Sequence, residues 1–330
     1  MPRPADPLPA HLGAVFRSGD ARRAGVTVGR LRAADLDRPF RGIRCRAQPE
    51  AAAGHDADPS ADERARRVIL SRVRTHAPLL PPHAFYAGST ALALHGVELL
   101  DADAAARADL HVAVFAPHRA LRRPGIHSFR VEPALARAVE CEGVRVASPA
   151  STWALLGREL GLRDLVKIGD ALARVPRDDR GRRMPGGQLA SIDQLRRATE
   201  VGRRPGLRTL REALELVSER SMSLLETDWR LNLRDSDLPQ PELDVEVRDA
   251  RGILLGISDG AFPAVKLAVE IDGDHHRTSR AQWNRDIDKQ AAYAAIGWET
   301  VRLTSAHIRR QPGRDVELVR AALIRRGWRP

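Results

Sequence analysis

The segment ILLGISDGAFPAVKLAVEID, residues 253–272, decides the fold of the C-terminal part of this 330-residue chain. An apolar residue stands at every second position from Leu267 to Ile271, and the positions between them are small or charged. Because successive side chains of a strand point to opposite faces, this alternation predicts a strand with one packed face and one polar face. The stretch ILLGISDGAF predicts a second strand, and Pro263 predicts the turn that joins the two strands into a hairpin.

Three carboxylates fall at one end of the predicted hairpin. Glu270 and Asp272 share the polar face about 7 Å apart, at roughly 3.3 Å of rise per residue, and Asp259 comes opposite them from the preceding strand. Neighbouring buried carboxylates repel each other unless a proton or a cation lies between them. Asp259, Glu270 and Asp272 therefore form a candidate site for Mg²⁺ or Mn²⁺. The alternative is a solvent-exposed acidic strand end beside a tight Asp-Gly turn.

The helix predicted before this hairpin carries a further acid and a further base. In SLLETDWR, Glu226 falls in the first turn of the helix and Arg230 lies one turn later. One interpretation adds Glu226 to the acidic site and lets Arg230 contact nucleic acid. The other is a capping box, in which Ser223 and Glu226 bond reciprocally to the first backbone amides of the helix.

The helix predicted after the hairpin presents Gln282, Asp286, Lys289 and Tyr293 on one face. Asp286 and Lys289 are candidates to contact phosphate or to orient the histidines that precede the helix, and the alternative is a surface ion pair. The stretch WETVRLT then predicts a last strand, and DVELVRAALIRRGW predicts a final helix. The C-terminal part is therefore expected to be an α/β domain.

The N-terminal fifty residues predict a small helix-turn-helix followed by a basic strand. Short helices are expected around His11 to Arg17, Asp20 to Ala24 and Val28 to Arg32, and the strand RGIRCRA follows them. In a winged-helix arrangement, two arginines lie on the helix offered to DNA and two lie on the wing. These four residues are Arg30, Arg32, Arg41 and Arg44. The alternative is that the arginines form an ordinary solvated face.

The middle of the chain predicts a mixture of helices and strands. Pro49 to Pro59 is expected to be a linker, and a helix is expected from Ala61 to His76. Ser89 and Ser148 are predicted to cap later helices, and the runs LHVAVF, IHSFRVE and GVRVAS predict strands. Helices are also expected from Arg163 to Arg174 and from Leu207 to Leu216. This region contains no recognisable catalytic spacing.

Composition favours a nucleic-acid partner. The formal net charge is +11, a balance that attracts polyanions. Only 4% of the residues are aromatic, so the stacking platforms of a single-strand binder are scarce and duplex DNA is favoured. The sequence has no apolar run long enough to span a bilayer and no signal-peptide pattern, so a cytoplasmic location without membrane contact is expected. Its two cysteines suggest neither a disulfide framework nor a zinc site.

The stretch from ISDGAFPAVKLAVEIDGDHH to GWETVRLT resembles a domain related to very-short-patch-repair (Vsr) endonucleases of the PD-(D/E)XK superfamily, with a restriction-endonuclease-like fold. The resemblance implies metal-assisted hydrolysis of a DNA phosphodiester, with Asp259 and Glu270 as metal ligands. Asp272 stands where the superfamily has a lysine, and a histidine at His275 or His276 is the implied helper of the attacking water. The implied catalytic set is Asp259, Glu270, Asp272, His275, His276 and Glu226.

The first two hundred residues resemble AbiEi-type antitoxins of type IV toxin-antitoxin systems. The segments AGSTALALHG, LHVAVFAP and VRVASPASTWALLGRELGLRDLVKIGDALAR carry this resemblance. It implies an α+β region with a winged-helix DNA-binding part, autoregulation of a promoter and a cognate toxin as partner. Two functions are therefore expected as alternatives: a Mg²⁺-dependent DNA endonuclease in defence or repair, and an antitoxin or transcriptional regulator whose nuclease fold is inactive.

Four parts are expected along the chain. Residues 1–50 form a winged-helix-like domain, and residues 51–79 form a linker and a connecting helix. Residues 80–205 form an AbiEi-like middle domain, and residues 206–330 form the restriction-endonuclease-like domain.

Overall fold

A computed structural model describes residues 6–46, 59–273 and 280–329 of the chain, and in the helix Arg280–Ala295 it describes side chains from residue 285 onward. The chain divides into two compact units, Met1–Leu155 and Leu156–Pro330. Both units mix helices with sheets, so the protein is an α+β protein, as the sequence predicted at this coarse level. The four-part division is finer than these two units and stays a prediction.

The first unit contains two sheets, one of three strands and one of five. Its elements are β1 (Val15–Arg17), α1 (Ser18–Arg23), β2 (Leu36–Asp37), β3 (Ile43–Arg46), α2 (Ala61–His76), β4 (Ala84–Tyr86), α3 (Gly88–Leu94), α4 (Ala102–Arg107), β5 (Leu110–Phe115), β6 (Ile126–Val131), β7 (Ala138–Cys141), β8 (Val144–Ala147) and α5 (Pro149–Leu156), whose last residue already belongs to the second unit.

The three-stranded sheet has the order β1-β3-β2, with both pairings antiparallel. The helix predicted from His11 to Arg17 is wrong, because its second half is strand β1 and Gly13 takes a left-handed φ of 67° that ends the short 3-10 turn before it. The helix predicted from Val28 to Arg32 is only a 3-10 turn over Arg30–Arg32. Valine, phenylalanine and isoleucine favour strands, and here pairing with β3 outweighs local helix propensity.

The five-stranded sheet has the order β6-β5-β4-β8-β7. The helix from Ala61 to His76 is confirmed at both ends, and a capping box between Ser60 and Glu63 starts it. The predicted strands β5, β6 and β8 are also confirmed. Ser89 does not cap α3, because Ala87 is the N-cap residue and no side chain in the described part of the chain caps this helix. Ser148, in contrast, accepts a hydrogen bond from the backbone amide of Ser151 at 3.3 Å. The predicted linker lies outside the described residues except for Pro59.

The second unit begins with helices and continues into a four-stranded sheet. Its elements are α6 (Leu162–Ala173), α7 (Ile192–Glu200), α8 (Leu207–Leu214), α9 (Leu224–Arg234), β9 (Glu242–Arg248), β10 (Leu254–Phe262), β11 (Leu267–Asp272), α10 (Arg280–Ala295), β12 (Glu299–Thr304) and α11 (Arg314–Arg325). The sheet order is β12-β11-β10-β9, with β12 parallel to β11 and the other pairs antiparallel.

Helices cover both faces of this sheet, and the packed and polar faces of β11 are those that its alternation predicts. Leu267 and Val269 are buried in one core with Trp229 of α9 and Val319 of α11. Ala268, on the opposite face, packs with Tyr293 of α10. The sheet is therefore the middle layer of three, and the polar face of β11 lies under α10, where Glu270 and Asp272 follow Ala268.

Helix α6 is tied to α9 by a buried ion pair. Asp170 is 1% exposed, and it accepts hydrogen bonds from Arg230 at 2.8 Å, from Thr227 at 2.8 Å and from the backbone amide of Ser218 at 2.7 Å. Burial raises the pKa of Asp170, and Arg230 opposes that rise. Residues before position 206 thus supply part of the polar interior of the second unit.

Candidate active site

Asp259 lies where the regular alternation of β10 is interrupted. A Cβ atom on Gly256 would meet Lys289 and Tyr293 of α10 at 3.0 Å, whereas one on Gly260 would meet Trp229 of α9 at 2.4 Å. Two positions four residues apart in a regular strand face the same side, so the strand changes face between these glycines. Interruptions of this kind re-aim a side chain beside the regular ladder. Asp259 accepts a hydrogen bond from the backbone amide of Ile271 on β11 at 2.6 Å.

Glu270 is paired with the lysine of the helix that covers it. One carboxylate oxygen lies 2.7 Å from Nζ of Lys289, which also donates to the carbonyl oxygen of Ile257 at 2.6 Å. The ammonium lies 5.7 Å from the ring centroid of Tyr293. The other oxygen of Glu270, Oε1, is buried without a hydrogen bond of ordinary geometry among the described residues. The hydroxyl of Ser258 beside it donates to the carbonyls of Gly260 and Val269.

Glu226 takes part in capping the N-terminus of α9, and its carboxyl group is close enough to the acidic pair to be affected by the charge of Asp259. Ser223 caps α9 through the backbone amide of Glu226 at 3.1 Å, and the Glu226 carboxyl accepts from the backbone amide of Met222 at 2.7 Å. The capping interpretation is therefore confirmed for Ser223. The carboxylate of Glu226 accepts its backbone hydrogen bond from Met222, which is one residue before the N-cap residue. Glu226 is 6% exposed, and burial and the charge of Asp259 raise its pKa to about 8.

The carboxylates oppose one another's ionisation. Burial and the neighbouring Glu270 raise the pKa of Asp259 to about 7. Burial also raises the pKa of Glu270, although the ammonium of Lys289 acts against that rise. Coupled acids of this kind share protons until a cation neutralises them. The second unit thus holds a negative site around Asp259 and Glu270 that is only partly compensated by Lys289.

Asp272 is held by an arginine of the neighbouring strand. In the parallel pairing of β11 with β12, Glu270 lies opposite Arg302. The Arg302 guanidinium reaches both oxygens of Asp272, at 3.0 and 2.9 Å, in a bidentate contact. The predicted role of Asp272 as a metal ligand stays a prediction, and it requires release of this arginine. Sequence reasoning missed Arg302, although the alternation in WETVRLT places it on the same face as Thr300.

A cavity of about 180 Å³ opens beside these acids. Its walls come from β11, α10 and β12, and the residues that line it are Glu270, Asp272, Asp286, Lys289, Gln290, Tyr293, Thr300 and Arg302. The volume is several times the ~30 Å³ share of one water molecule in the liquid. Carboxylates, a lysine, an arginine and a phenol thus line one polar space, to which Asp286, Lys289 and Tyr293 contribute from one face of α10.

The donor chemistry of Asp259 and Glu270 fits a hard divalent cation. Mg²⁺ is bound in many enzymes by one or two carboxylates and completes its shell with water and substrate phosphates. One oxygen of Glu270 has no hydrogen bond of ordinary geometry among the described residues, and burial and the charge of Glu270 raise the pKa of Asp259, so a bound cation would stabilise the ionised form of both groups. Across residues 6–46, 59–273 and 280–329, no group of three or more His, Cys, Asp or Glu side chains is arranged to hold a metal. The residues present therefore fit a cation site with two carboxylate ligands, Asp259 and Glu270.

Other predicted residues lie elsewhere or outside the described parts. His275 and His276 fall in the undescribed segment 274–279, and the side chain of Gln282 is likewise not described. Arg230 does not line the cavity, because its guanidinium is turned to Asp170 and its side chain is 13% exposed. Its predicted contact with nucleic acid stays a prediction.

The four N-terminal arginines differ in exposure. Arg30 makes a bidentate contact with Asp35 at 2.8 and 2.6 Å, and its side chain is only 10% exposed. Arg44 is half-buried and donates to the carbonyls of Leu31 and Ile43 at 2.7 Å. Arg32 and Arg41 are exposed. Two of the four are thus available to a phosphate backbone, and two stabilise the fold around the small sheet.

Comparisons with known proteins find relatives that match part of this chain. Two uncharacterized proteins of Mycobacterium tuberculosis, from strains CDC 1551 / Oshkosh and H37Rv, are each 32% identical to this chain over 117 residues. The match covers 36% of this chain and 42% of each relative, so the chain spans less than half the length of the relatives that it matches. No family model and no solved structure matches the sequence. None of the described helices is both long and apolar enough to cross a membrane.

Proposed function

We propose that the second unit is a restriction-endonuclease-like domain of the PD-(D/E)XK type that hydrolyses phosphodiester bonds of duplex DNA. The observation that carries this proposal is the pair of carboxylates Asp259 and Glu270 on adjacent strands. Burial and the charge of Glu270 raise the pKa of Asp259, and Glu270 lines an open polar cavity. The three-layer arrangement supports the same proposal, since both acids lie on the central strands of a sheet that has helices on each face.

The residues of the proposed site divide into three chemical roles. Asp259 and Glu270 would hold Mg²⁺ or Mn²⁺, which when bound supplies a water of lowered pKa and neutralises phosphate charge. Lys289 and Arg302 have donors that can turn from the protein carboxylates to phosphate oxygens, and arginine can make that contact through two parallel hydrogen bonds. Asp272, freed from Arg302, and His275 or His276 are the proposed acceptors of the proton from the attacking water.

A nicking assay on supercoiled plasmid tests this proposal. Wild-type protein with Mg²⁺ or Mn²⁺ is expected to convert the plasmid to the open circle, and Glu270→Gln is expected to reduce the rate at least about 100-fold, as expected for the loss of an electrostatic catalytic group. Glu299→Gln is the matched control, because Glu299 lies on the neighbouring strand and pairs with Arg325 away from the cavity. Equal traces for wild type and Glu270→Gln would refute the hydrolytic function.

One observation favours a second candidate, a DNA-binding regulator or antitoxin in which the nuclease-like domain is inactive. In the structure both acids on β11 are already paired with protein cations, Glu270 with Lys289 and Asp272 with Arg302. The first unit, which we propose to be winged-helix-like at its N-terminus, offers Arg32 and Arg41 to duplex DNA. A cognate toxin is then the proposed protein partner.

Gel-shift binding to the promoter upstream of its own gene tests this second candidate. Arg41→Ala is expected to weaken binding severalfold, and Arg44→Ala, whose side chain is turned to backbone carbonyls, is the comparison. A protein that binds its promoter without nicking plasmid supports the regulator, and a protein that nicks plasmid without promoter preference supports the nuclease.

A further inference from the structure

The hydroxyl of Tyr293 is a buried donor without a partner. Tyr293 is fully buried on α10 and lines the cavity of about 180 Å³, yet its oxygen makes no hydrogen bond with any residue that the structure describes. A buried polar group left unpaired costs free energy, so such groups in folded proteins are normally paired with protein or with ordered water. The Tyr293 hydroxyl is therefore a position at which a polar ligand can gain a hydrogen bond.

The packing around Tyr293 holds the hydroxyl in place. A Cβ atom on Gly256 would lie 3.0 Å from the tyrosine oxygen, so the absence of a side chain there lets the ring lie directly against β10. Burial raises the pKa of Tyr293, and the charges of Glu270 and Asp259 raise it further, so the phenol stays protonated and acts as a donor. Because Tyr293 also lines the cavity, a molecule bound there can bring an acceptor oxygen to this hydroxyl.

The other donors at the cavity define what that acceptor is. The ammonium of Lys289 and the guanidinium of Arg302 line the same space as Tyr293. Two cations and a phenol around one polar cavity match the oxygens of a phosphate group, and the flanking carboxylates match the cation that accompanies it. A neutral apolar ligand would leave the Tyr293 hydroxyl unpaired.

We propose that Tyr293 is a positioning residue that donates its hydroxyl hydrogen bond to an oxygen of a phosphate group bound in this cavity beside Glu270. This inference rests on the proposed function for the source of the phosphate, which is the DNA backbone. Free inorganic phosphate has the same chemistry, and the experiment separates the two sources.

The chain offers a matched control, because Tyr86 and Tyr293 are its two tyrosines. Tyr86 is also fully buried, but its hydroxyl has partners, His76 at 3.0 Å and the carbonyl of Val73 at 3.3 Å. Tyr86→Phe is expected to lower the melting temperature and leave phosphate binding unchanged. Tyr293→Phe removes only an unpaired hydroxyl, so it is expected to keep or raise the melting temperature and to weaken phosphate binding.

Binding is measured with a short duplex oligonucleotide in Ca²⁺, and separately with inorganic phosphate, by fluorescence anisotropy and by ¹⁹F NMR of protein that carries 3-fluorotyrosine. The resonance that disappears in Tyr293→Phe is expected to shift when the duplex is added, and the affinity for the duplex is expected to fall about tenfold in that variant, as for one hydrogen bond to a charged group. The Tyr86 resonance is expected to stay in place.

The outcomes separate this inference from the proposed function. If wild type binds and nicks DNA and Tyr293→Phe does both equally well, the role of Tyr293 is refuted and the nuclease stands. If inorganic phosphate shifts the Tyr293 resonance and the duplex does not, the phosphate site is supported and the nuclease is contradicted. If neither ligand shifts that resonance, the phosphate site is refuted.

Discussion

At the residue scale, the site is an acidic cluster that protein cations compensate only in part. Asp259 and Glu226 have pKa values raised to about 7 and about 8, and Glu270 is paired with Lys289. Like charges in a half-buried site store an unfavourable interaction, which a divalent cation or a proton relieves. Two measurable consequences follow, one in the dependence of stability on pH and one in the response to added metal.

The raised pKa of Glu226 predicts that this residue lowers the free energy of unfolding as the pH rises from about 5 to 8. In that window the folded state keeps a proton that the unfolded state has released, so the free energy of unfolding falls by up to about 1.4 kcal/mol per pH unit for this group. Below the unfolded pKa both states are protonated and the effect vanishes. Glu226→Gln is therefore expected to gain stability relative to wild type as pH rises, measured by urea unfolding at pH 5, 6.5 and 8. Parallel pH profiles for the two proteins would contradict this, and Glu299→Gln serves as control.

Removal of the lysine that compensates Glu270 is expected to make the protein depend more on metal. Lys289→Met leaves Glu270 without its cation and is expected to cost about 1–2 kcal/mol without divalent ions. Added Mn²⁺ is then expected to raise the melting temperature more in Lys289→Met than in wild type, because the metal no longer competes with an ammonium. The control is Lys266→Met, since Lys266 is exposed and its ammonium donates to the carbonyl of Ile296. An equal response to Mn²⁺ in all three proteins would count against the cation site.

At the element scale, the hairpin of β10 and β11 was predictable from sequence and the interruption within it was not. Strict alternation over residues 266–272 identified β11, its packed face and its acidic face. The change of face near Asp259 has no local signal, because it depends on Gly256 meeting α10 and on Gly260 meeting Trp229. Arg302 was missed for a similar reason, since its contact with Asp272 arises from the parallel register of β11 with β12.

The buried link between α6 and α9 makes a prediction at this same scale. Asp170→Ala leaves Arg230 buried without its carboxylate and is expected to cost about 3–5 kcal/mol. Adding Arg230→Met is expected to restore part of that loss, which gives a coupling energy of about 1–3 kcal/mol in a double-mutant cycle. The control cycle is Arg163 with Asp235, whose side chains are 42% and 61% exposed and which should couple by about 0.5 kcal/mol or less. Equal coupling energies in the two cycles would show that the buried pair of Asp170 and Arg230 contributes no more to stability than the exposed pair.

At the scale of the whole molecule, sequence reasoning gave the class of each region and the position of the last sheet. Mixed composition and alternating periodicities indicated an α+β protein, and the described structure agrees. The limits of the compact units depend on long-range contacts, such as that between Asp170 and residues near position 227, which no local pattern encodes. For the same reason, residues 156–205 fall in the second unit, although the sequence grouped them with the middle of the chain.

This placement predicts how fragments of the chain fold. Residues 156–330 contain the whole second unit, whereas residues 206–330 lack Asp170 and leave Arg230 and Thr227 without their shared acceptor. The longer fragment is expected to melt cooperatively, and the shorter one is expected to be substantially less stable or unfolded, as measured by circular dichroism. Identical melting of the two fragments would place α6 outside the folded unit.

A crystal soaked in Mn²⁺ tests the central claim most directly. The account predicts one anomalous-scattering peak about 2 Å from oxygens of both Asp259 and Glu270, with the ammonium of Lys289 withdrawn from Glu270. A map without such a peak, in which Lys289 still contacts Glu270 at saturating Mn²⁺, would contradict a metal-dependent nuclease.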